Sequence, residues 1–319
     1  MTAEWTHTAP CSSISAMSRE DPIGTAPTHE RYLFVEIPLP WAYPITMSQQ
    51  MPKQLVNVLD EAAERGQKIR FLAFSSDERT SPPGYRRIFY FTKPETAFAR
   101  YMKHEFVVPE NEVVGLVQKL ISSAPLDSFN EHKQDTLHIR DLFVCTHGSH
   151  DRCCGMFGYE IYQRLVKEYA SLDHFRVWRV SHLGGHRFAP TMLDMPEGRY
   201  WARIAADDLD ILVRRSGPFS ALASKYRGWG GVGKFEQFLE REIGVREGWD
   251  WIGYMKSGRS VAMEDGTVHV TIDYTSADGT ITGRYEGKVM PSHIAKVGGC
   301  GKPLEEVQMY KLVDAVKLA

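Results

Sequence analysis

The chain has 319 residues, of which 43% are hydrophobic and 24% charged, and a formal net charge of -2. That length buries a substantial core and suits about two domains, and the composition excludes wholesale disorder. The balanced charge gives no reason to expect nucleic acid or an anionic membrane as a partner. No stretch approaches ~18 uninterrupted apolar residues, so no membrane span is expected. The polar, Pro-containing sequence after Met1 does not read as a signal peptide. Three of the five cysteines fall between positions 145 and 154, which suits metal or redox chemistry in the cytoplasm rather than a disulfide framework.

In chain order, residues 1–30 are rich in Ser, Thr, Pro and His and read as an irregular lead-in. A strand follows at 32–37, closed by Pro38, Pro40 and Pro44, because proline cannot donate to a ladder. Leu55, Val58, Leu59 and Ala62 recur at helical spacing, with Gly66 placed to end that helix. Strands at 68–74 and 87–91 come next, and Val113, Leu116, Val117 and Leu120 mark another helix. Residues 1–125 thus form an α/β unit ordered strand, helix, strand, strand, helix.

A second unit, 126–220, repeats that order. A strand at 137–144 runs into Cys145, and Phe157, Ile161, Leu165 and Tyr169 line one helix face. The strand 175–180 delivers the chain to His182. Residues 191–195 and 199–204 flank the turn Pro196-Glu-Gly198, and Asp207 can cap a helix through Arg215 that Gly217-Pro218 stops. This is the order of a thioredoxin-like α/β layer. In 221–319, Gly228-Trp-Gly-Gly-Val-Gly-Lys234 superficially fits a phosphate-binding loop. Phe235 replaces the Ser or Thr that would hold magnesium, and no clear strand precedes it, so it reads as a turn before a helix carrying Phe238 and Leu239. Beyond about 245 the chain reads as mainly β, with strands at 268–274, 280–289 and 308–313. Such an added module suggests the docking of a partner. Phe89-Tyr-Phe91 and Trp249-Asp-Trp251 read as core or edge material.

Two loops carry the chemistry. Cys145 and Cys154 bracket one, and His182-Leu-Gly-Gly-His186 forms the other. A helical crossover makes the strands before them parallel, so both loops leave the same edge of the sheet and meet. Gly184 and Gly185 allow the tight turn that brings both imidazoles to one centre. Two thiolates and two imidazoles suit a tetrahedral zinc ion, and they also suit a [2Fe–2S] cluster. Zinc knuckles space their cysteines two to four residues apart, whereas eight residues separate these two, and the wider loop favours the larger group. His147 and His150, inside the Cys loop, read as groups that orient it. Arg187 faces either the metal group or the surface. Cys11 and Cys300, unmatched to any metal spacing, read as free structural thiols.

At these residues the chain resembles the sucrase/ferredoxin-like family, thioredoxin-fold [2Fe–2S] proteins marked by C-x8-C followed by H-x-G-G-H. The likeness includes Val144-Cys-Thr-His-Gly148, Asp151, Gly155 and His182-Leu-Gly-Gly-His186. It extends to Cys11-Ser-Ser13, Asp21-Pro-Ile-Gly-Thr-Ala26, Glu36-Ile-Pro-Leu-Pro-Trp41 and Tyr226-Arg-Gly228, covering about 10–240. The resemblance implies a non-Rieske [2Fe–2S] cluster held by Cys145, Cys154, His182 and His186. Cys154 rather than Cys153 preserves the motif's gap and precedes Gly155, leaving Cys153 as a spare thiol or a substitute ligand. Neutral imidazoles in place of thiolates raise the potential and link reduction to protonation near neutral pH. The expected function is a one-electron carrier working with a reductase or an electron acceptor. A zinc-stabilised adaptor and a thioredoxin-type thiol protein are the alternatives, the latter without a C-x-x-C motif. No pair of carboxylates stands out as a glycosidase acid and nucleophile, so no catalytic residue is assigned.

Overall fold

The computed structural model describes residues 10–318. The irregular chain expected for 1–9 lies outside them. Residues expected to be irregular just after it instead form a short helix, α1 (Cys11–Met17), whose Cys11, Ser12, Ile14 and Ser15 are buried. Packing rather than intrinsic propensity makes this helix, since seven residues are too few to stand alone.

The first half contains β1 (Arg31–Glu36), α2 (Lys53–Glu64), β2 (Ile69–Ser75), β3 (Tyr85–Thr92), β4 (Met102–Pro109) and α3 (Val113–Ser122). Leu55, Val58 and Ala62 form the buried stripe of α2, and Gly66 follows it with φ +74. Strand β4 is absent from the sequence reading because two of its inward positions are the charged residues Lys103 and Glu105, which break the apolar alternation. They are buried in an ionic lattice instead. Lys103 Nζ lies 2.6 Å from Asp141 Oδ2, and Arg176 bridges Glu105 (2.6 Å) and Asp141 (2.8 Å).

The second half repeats the order with β5 (Arg140–Cys145), α4 (Tyr159–Tyr169), β6 (Phe175–Val180), β7 (Thr191–Met195), β8 (Arg199–Ala202) and α5 (Leu209–Arg214). Strand β5 begins three residues later than expected, leaving Leu137 exposed. Helix α5 is only six residues long, and Asp208, not Asp207, accepts from the Ala205 N–H at 2.6 Å. β9 (Tyr226–Trp229), α6 (Glu236–Glu247), β10 (Met255–Ala262), β11 (Val268–Thr275), β12 (Thr282–Val297) and β13 (Glu305–Leu318) complete the chain. A strand, β9, therefore does precede the glycine-rich turn; it is four residues long and carries Gly228 at φ +129, which hides it from pattern reading. A carboxylate, that of Glu236, packs against Gly233 where a phosphate would need positive charge.

Both halves join one nine-stranded sheet in the order β4-β3-β1-β2-β6-β5-β7-β8-β9. Each half is built on a parallel pair, β1 with β2 and β5 with β6. Across the sheet the halves pair through Phe74 with Val180 and Ser75 with Arg179, antiparallel, at the carboxyl ends of β2 and β6. Their carboxyl edges therefore converge, which sets the loop after β1 over the loop after β5. A second, antiparallel sheet runs β10-β11-β12-β13, and β10 was not expected because it is an exposed edge with only Lys256 buried. This sheet does not stand apart: Val270, Ile272, Tyr285 and Val289 share one core with Phe143, Trp178, Trp201 and Trp229. Among the described residues no helix is long and apolar enough to cross a membrane.

Candidate metal centre

Strand β5 ends at Cys145, opposite Val180 at the end of β6, and the Thr146 N–H donates to the Val180 carbonyl at 3.1 Å. The Cys and His loops thus leave the sheet side by side. The Cys loop is drawn shut where two glycines touch: a Cβ on Gly155 would stand 2.7 Å from the Gly148 Cα. The Asp151 carboxylate accepts the Cys153 N–H at 2.8 Å, and a π-turn, Cys154–Gly158, opens into α4. The turn presses on the strand end so closely that a Cβ on Gly158 would reach 1.9 Å from the Cys145 carbonyl oxygen. In the His loop Gly184 and Gly185 take φ of +84 and +72, which side chains other than glycine's rarely adopt.

Cys145, Cys154 and His182 come together, each offering a ligand atom within 4.8 Å of the others. Both cysteines are buried, and His182 Nδ1 is buried without a hydrogen-bond partner among the described residues. An unpaired buried nitrogen costs about 1–3 kcal/mol. A metal ion or cluster iron would satisfy it, so two thiols and this imidazole fit such a group. His186 is placed beside them rather than among them. Its ring centre is 5.9 Å from that of His182, while its Nδ1 lies 3.0 Å from Asp151 Oδ2 and 3.3 Å from Cys11 Sγ.

The two thiols are hydrogen-bonded to each other. A hydrogen bond from Cys154 pulls the Cys145 thiol well below its ordinary value against the opposing effect of burial, helped by His182 and the His147 N–H. The same hydrogen bond, with burial, holds the Cys154 proton in place. Burial raises the Asp151 carboxyl, but the hydrogen bonds from His186 and the Cys153 N–H outweigh it and hold it at about 2.

The flanking residues take distinct places. His147 Nε2 bonds the Ala42 carbonyl at 2.9 Å, and Ser149 donates to the Trp41 carbonyl at 2.7 Å, tying the Cys loop to the loop after β1. His150 stacks on His182 with ring centres 3.6 Å apart. Arg187 turns to Glu20 at 2.7 Å. A residue to which no role was assigned, Arg227, is buried behind the His loop and donates to the Gly184 carbonyl (2.9 Å) and the Thr25 carbonyl (2.7 Å). Burial brings it down to about 10, with the charges of Cys145 and Cys154 acting the other way. Its only sequence signal is the motif Tyr226-Arg-Gly228.

Cys11 and Cys300 are not isolated thiols. Their sulfurs lie 3.5 and 3.3 Å from that of Cys153, which groups with them rather than with Cys145. No spacing rule could join positions so remote in sequence.

A family profile described as Sucrase/ferredoxin-like matches residues 22–228. The chain belongs to that family. The match covers both halves and both loops, and leaves Cys11, Cys300 and the second sheet outside it. Among curated proteins, Altered inheritance of mitochondria protein 32 of Meyerozyma guilliermondii is 27% identical over 146 residues, 42% of this chain and 50% of that protein. The chain thus spans about half the length of this relative. No solved structure matches it.

Proposed function

We propose that this member of the sucrase/ferredoxin-like family is an electron-transfer protein with a [2Fe–2S] cluster on Cys145, Cys154, His182 and His186. The observation that carries the reading is the convergence of two buried thiols on an unpartnered imidazole nitrogen, with the second imidazole adjacent. A cluster bound there supplies reversible one-electron chemistry. Asp151 stands 3.0 Å from His186 Nδ1, and a hydrogen bond there would orient His186 and leave its Nε2 for the cluster. Arg227 offsets negative charge from inside the fold and holds the His loop by its Gly184 carbonyl. The thiols are buried whereas the His186 side chain is 24% exposed, so a reductase or acceptor exchanges electrons at the imidazole edge. Exposed Tyr43, packed edge-on to His150 at 4.6 Å, belongs to that face.

Pulsed electron paramagnetic resonance of the reduced protein tests the ligation: the account expects strong nitrogen coupling that weakens when His182 or His186 becomes Cys. A signal without nitrogen coupling rules the histidines out. The compactness of the three-donor group also favours a second reading, a single structural zinc with no redox role. All five cysteines are free thiols, which supports a reducing compartment such as the cytoplasm. The relative's name refers to the inheritance of mitochondria, a process that fits a cytoplasmic or a mitochondrial site alike.

A further inference from the structure

The thiols outside the candidate centre form a group of their own. Cys11 from α1, Asp151 and Cys153 from the Cys loop, and Cys300 from the β12–β13 connection each offer a ligand atom, all within 4.8 Å of one another. Cys153 Sγ stands 3.5 Å from Cys11 Sγ and 3.3 Å from Cys300 Sγ. Asp151 Oδ1 stands 3.9 and 3.7 Å from the same two sulfurs. Sulfurs bound to one tetrahedral zinc at ~2.3 Å are about 3.8 Å apart, against ~2.05 Å in a disulfide. The observed spacings are not those of a disulfide and lie close to those of sulfurs on a shared ion. The Cys11 N–H donates to Cys300 Sγ at 3.5 Å and Ser12 Oγ to Cys153 Sγ at 3.6 Å, the support that ligating sulfurs receive from a surrounding shell.

We propose that Cys11, Cys153, Cys300 and Asp151 form a second, closed site for one Zn2+ ion, distinct from the Cys145, Cys154 and His182 group. Three thiolates and a carboxylate fill a tetrahedron and leave no position open for substrate, so the site is structural. On binding, the thiol protons are released to water as the zinc–sulfur bonds form. The ion clasps three segments that are remote in sequence: the amino-terminal helix, the loop bearing the cluster ligands, and the second sheet. Ser18 Oγ already bonds the Lys296 carbonyl across the same junction at 2.7 Å. One peptide bond, between Cys153 and Cys154, spans both sites. The zinc donors differ from the four cluster ligands, and although Asp151 also faces His186, the test separates the two readings through Cys300, which among the described residues is hydrogen-bonded to none of the cluster ligands.

The test is iron, sulfide and zinc analysis of the full chain purified without oxygen, incubated with one equivalent of Zn2+ and desalted. The expected result is one retained zinc per chain that survives the Cys145→Ser/Cys154→Ser double substitution. Cys300→Ser, in a partly exposed loop, loses that zinc while iron content and visible absorption stay as in the wild type. Cys11→Ser gives the same loss. Co2+ in place of Zn2+ reports the ligands directly, through a thiolate-to-cobalt charge-transfer band that disappears in the same two variants. Failure to retain zinc, zinc that survives both Cys11→Ser and Cys300→Ser, or zinc lost only with Cys145 and Cys154 overturns the proposal. So does a disulfide among the three thiols in the anaerobic protein.

Discussion

Cys153 and Cys154 open a helical turn, where adjacent side chains diverge by about 100°. One thiol therefore reaches Cys145 and the other reaches Cys11 and Cys300. Cys154→Ser is expected to abolish the visible absorption of the anaerobically purified protein, and Cys153→Ser to keep it; the reverse would exchange their roles. Arg227 presents a second residue-scale case. Replacing it with Met leaves the buried Gly184 and Thr25 carbonyls without their cationic donor. Charge-assisted bonds of this kind contribute about 1.5–3 kcal/mol. Arg227→Met should lower unfolding stability by roughly 3 kcal/mol and hasten loss of the metal group; unchanged denaturant midpoint and unchanged loss rate would contradict this role. Reduction adds negative charge next to ligand imidazoles, which then hold their protons more tightly, so the potential is expected to fall as pH rises. A flat potential between about pH 6 and 9 would show that the imidazoles do not couple.

At the scale of elements, β4 and the π-turn before α4 show where pattern reading stops. The buried stripes of α2, α3 and α4 follow the 3.6-residue period and were legible as helices. Strand β4 was not, because Lys103 and Glu105 occupy inward positions and are offset by Asp141 and Arg176 from strands far away in sequence. Burial raises the Glu105 carboxyl, but Arg176 foremost, with Arg87 and Thr136, brings it from 4.5 to about 2. A depressed carboxylate stabilises the fold above its unfolded value, here 4.5, and that stability is lost as pH falls towards about 2. Glu105→Gln should therefore cost about 3 kcal/mol near neutral pH and flatten the acid limb of the stability profile across that window. A variant as stable and as acid-sensitive as the wild type would remove Glu105 from the network. Gly158→Ala forces a Cβ against the Cys145 carbonyl, so it should displace a ligand-bearing strand end and reduce iron content even where the chain still folds.

Over the whole molecule, two α/β halves of one order meet at their carboxyl edges, and the candidate centre sits where they converge. The convergence of Cys145, Cys154 and His182 was legible because both loops follow parallel strands. The divergence of His186 towards Asp151 was not, since it depends on a contact between the two loops. The added module after about 245 is packed into the fold, since the second sheet completes the core shared with β5–β8. Deletion of residues 255–319 should expose Trp251 and Trp229 and destabilise the entire second half. A truncated chain that keeps its visible spectrum and melting temperature would restore the module as independent. The central claim is tested most directly by the visible absorption and the iron and sulfide content of full-length protein purified without oxygen. About two irons and two sulfides per chain, with charge-transfer bands that shift when His182 or His186 becomes Cys, is the result predicted. A colourless protein, with zinc alone at Cys145, Cys154 and His182, would contradict it.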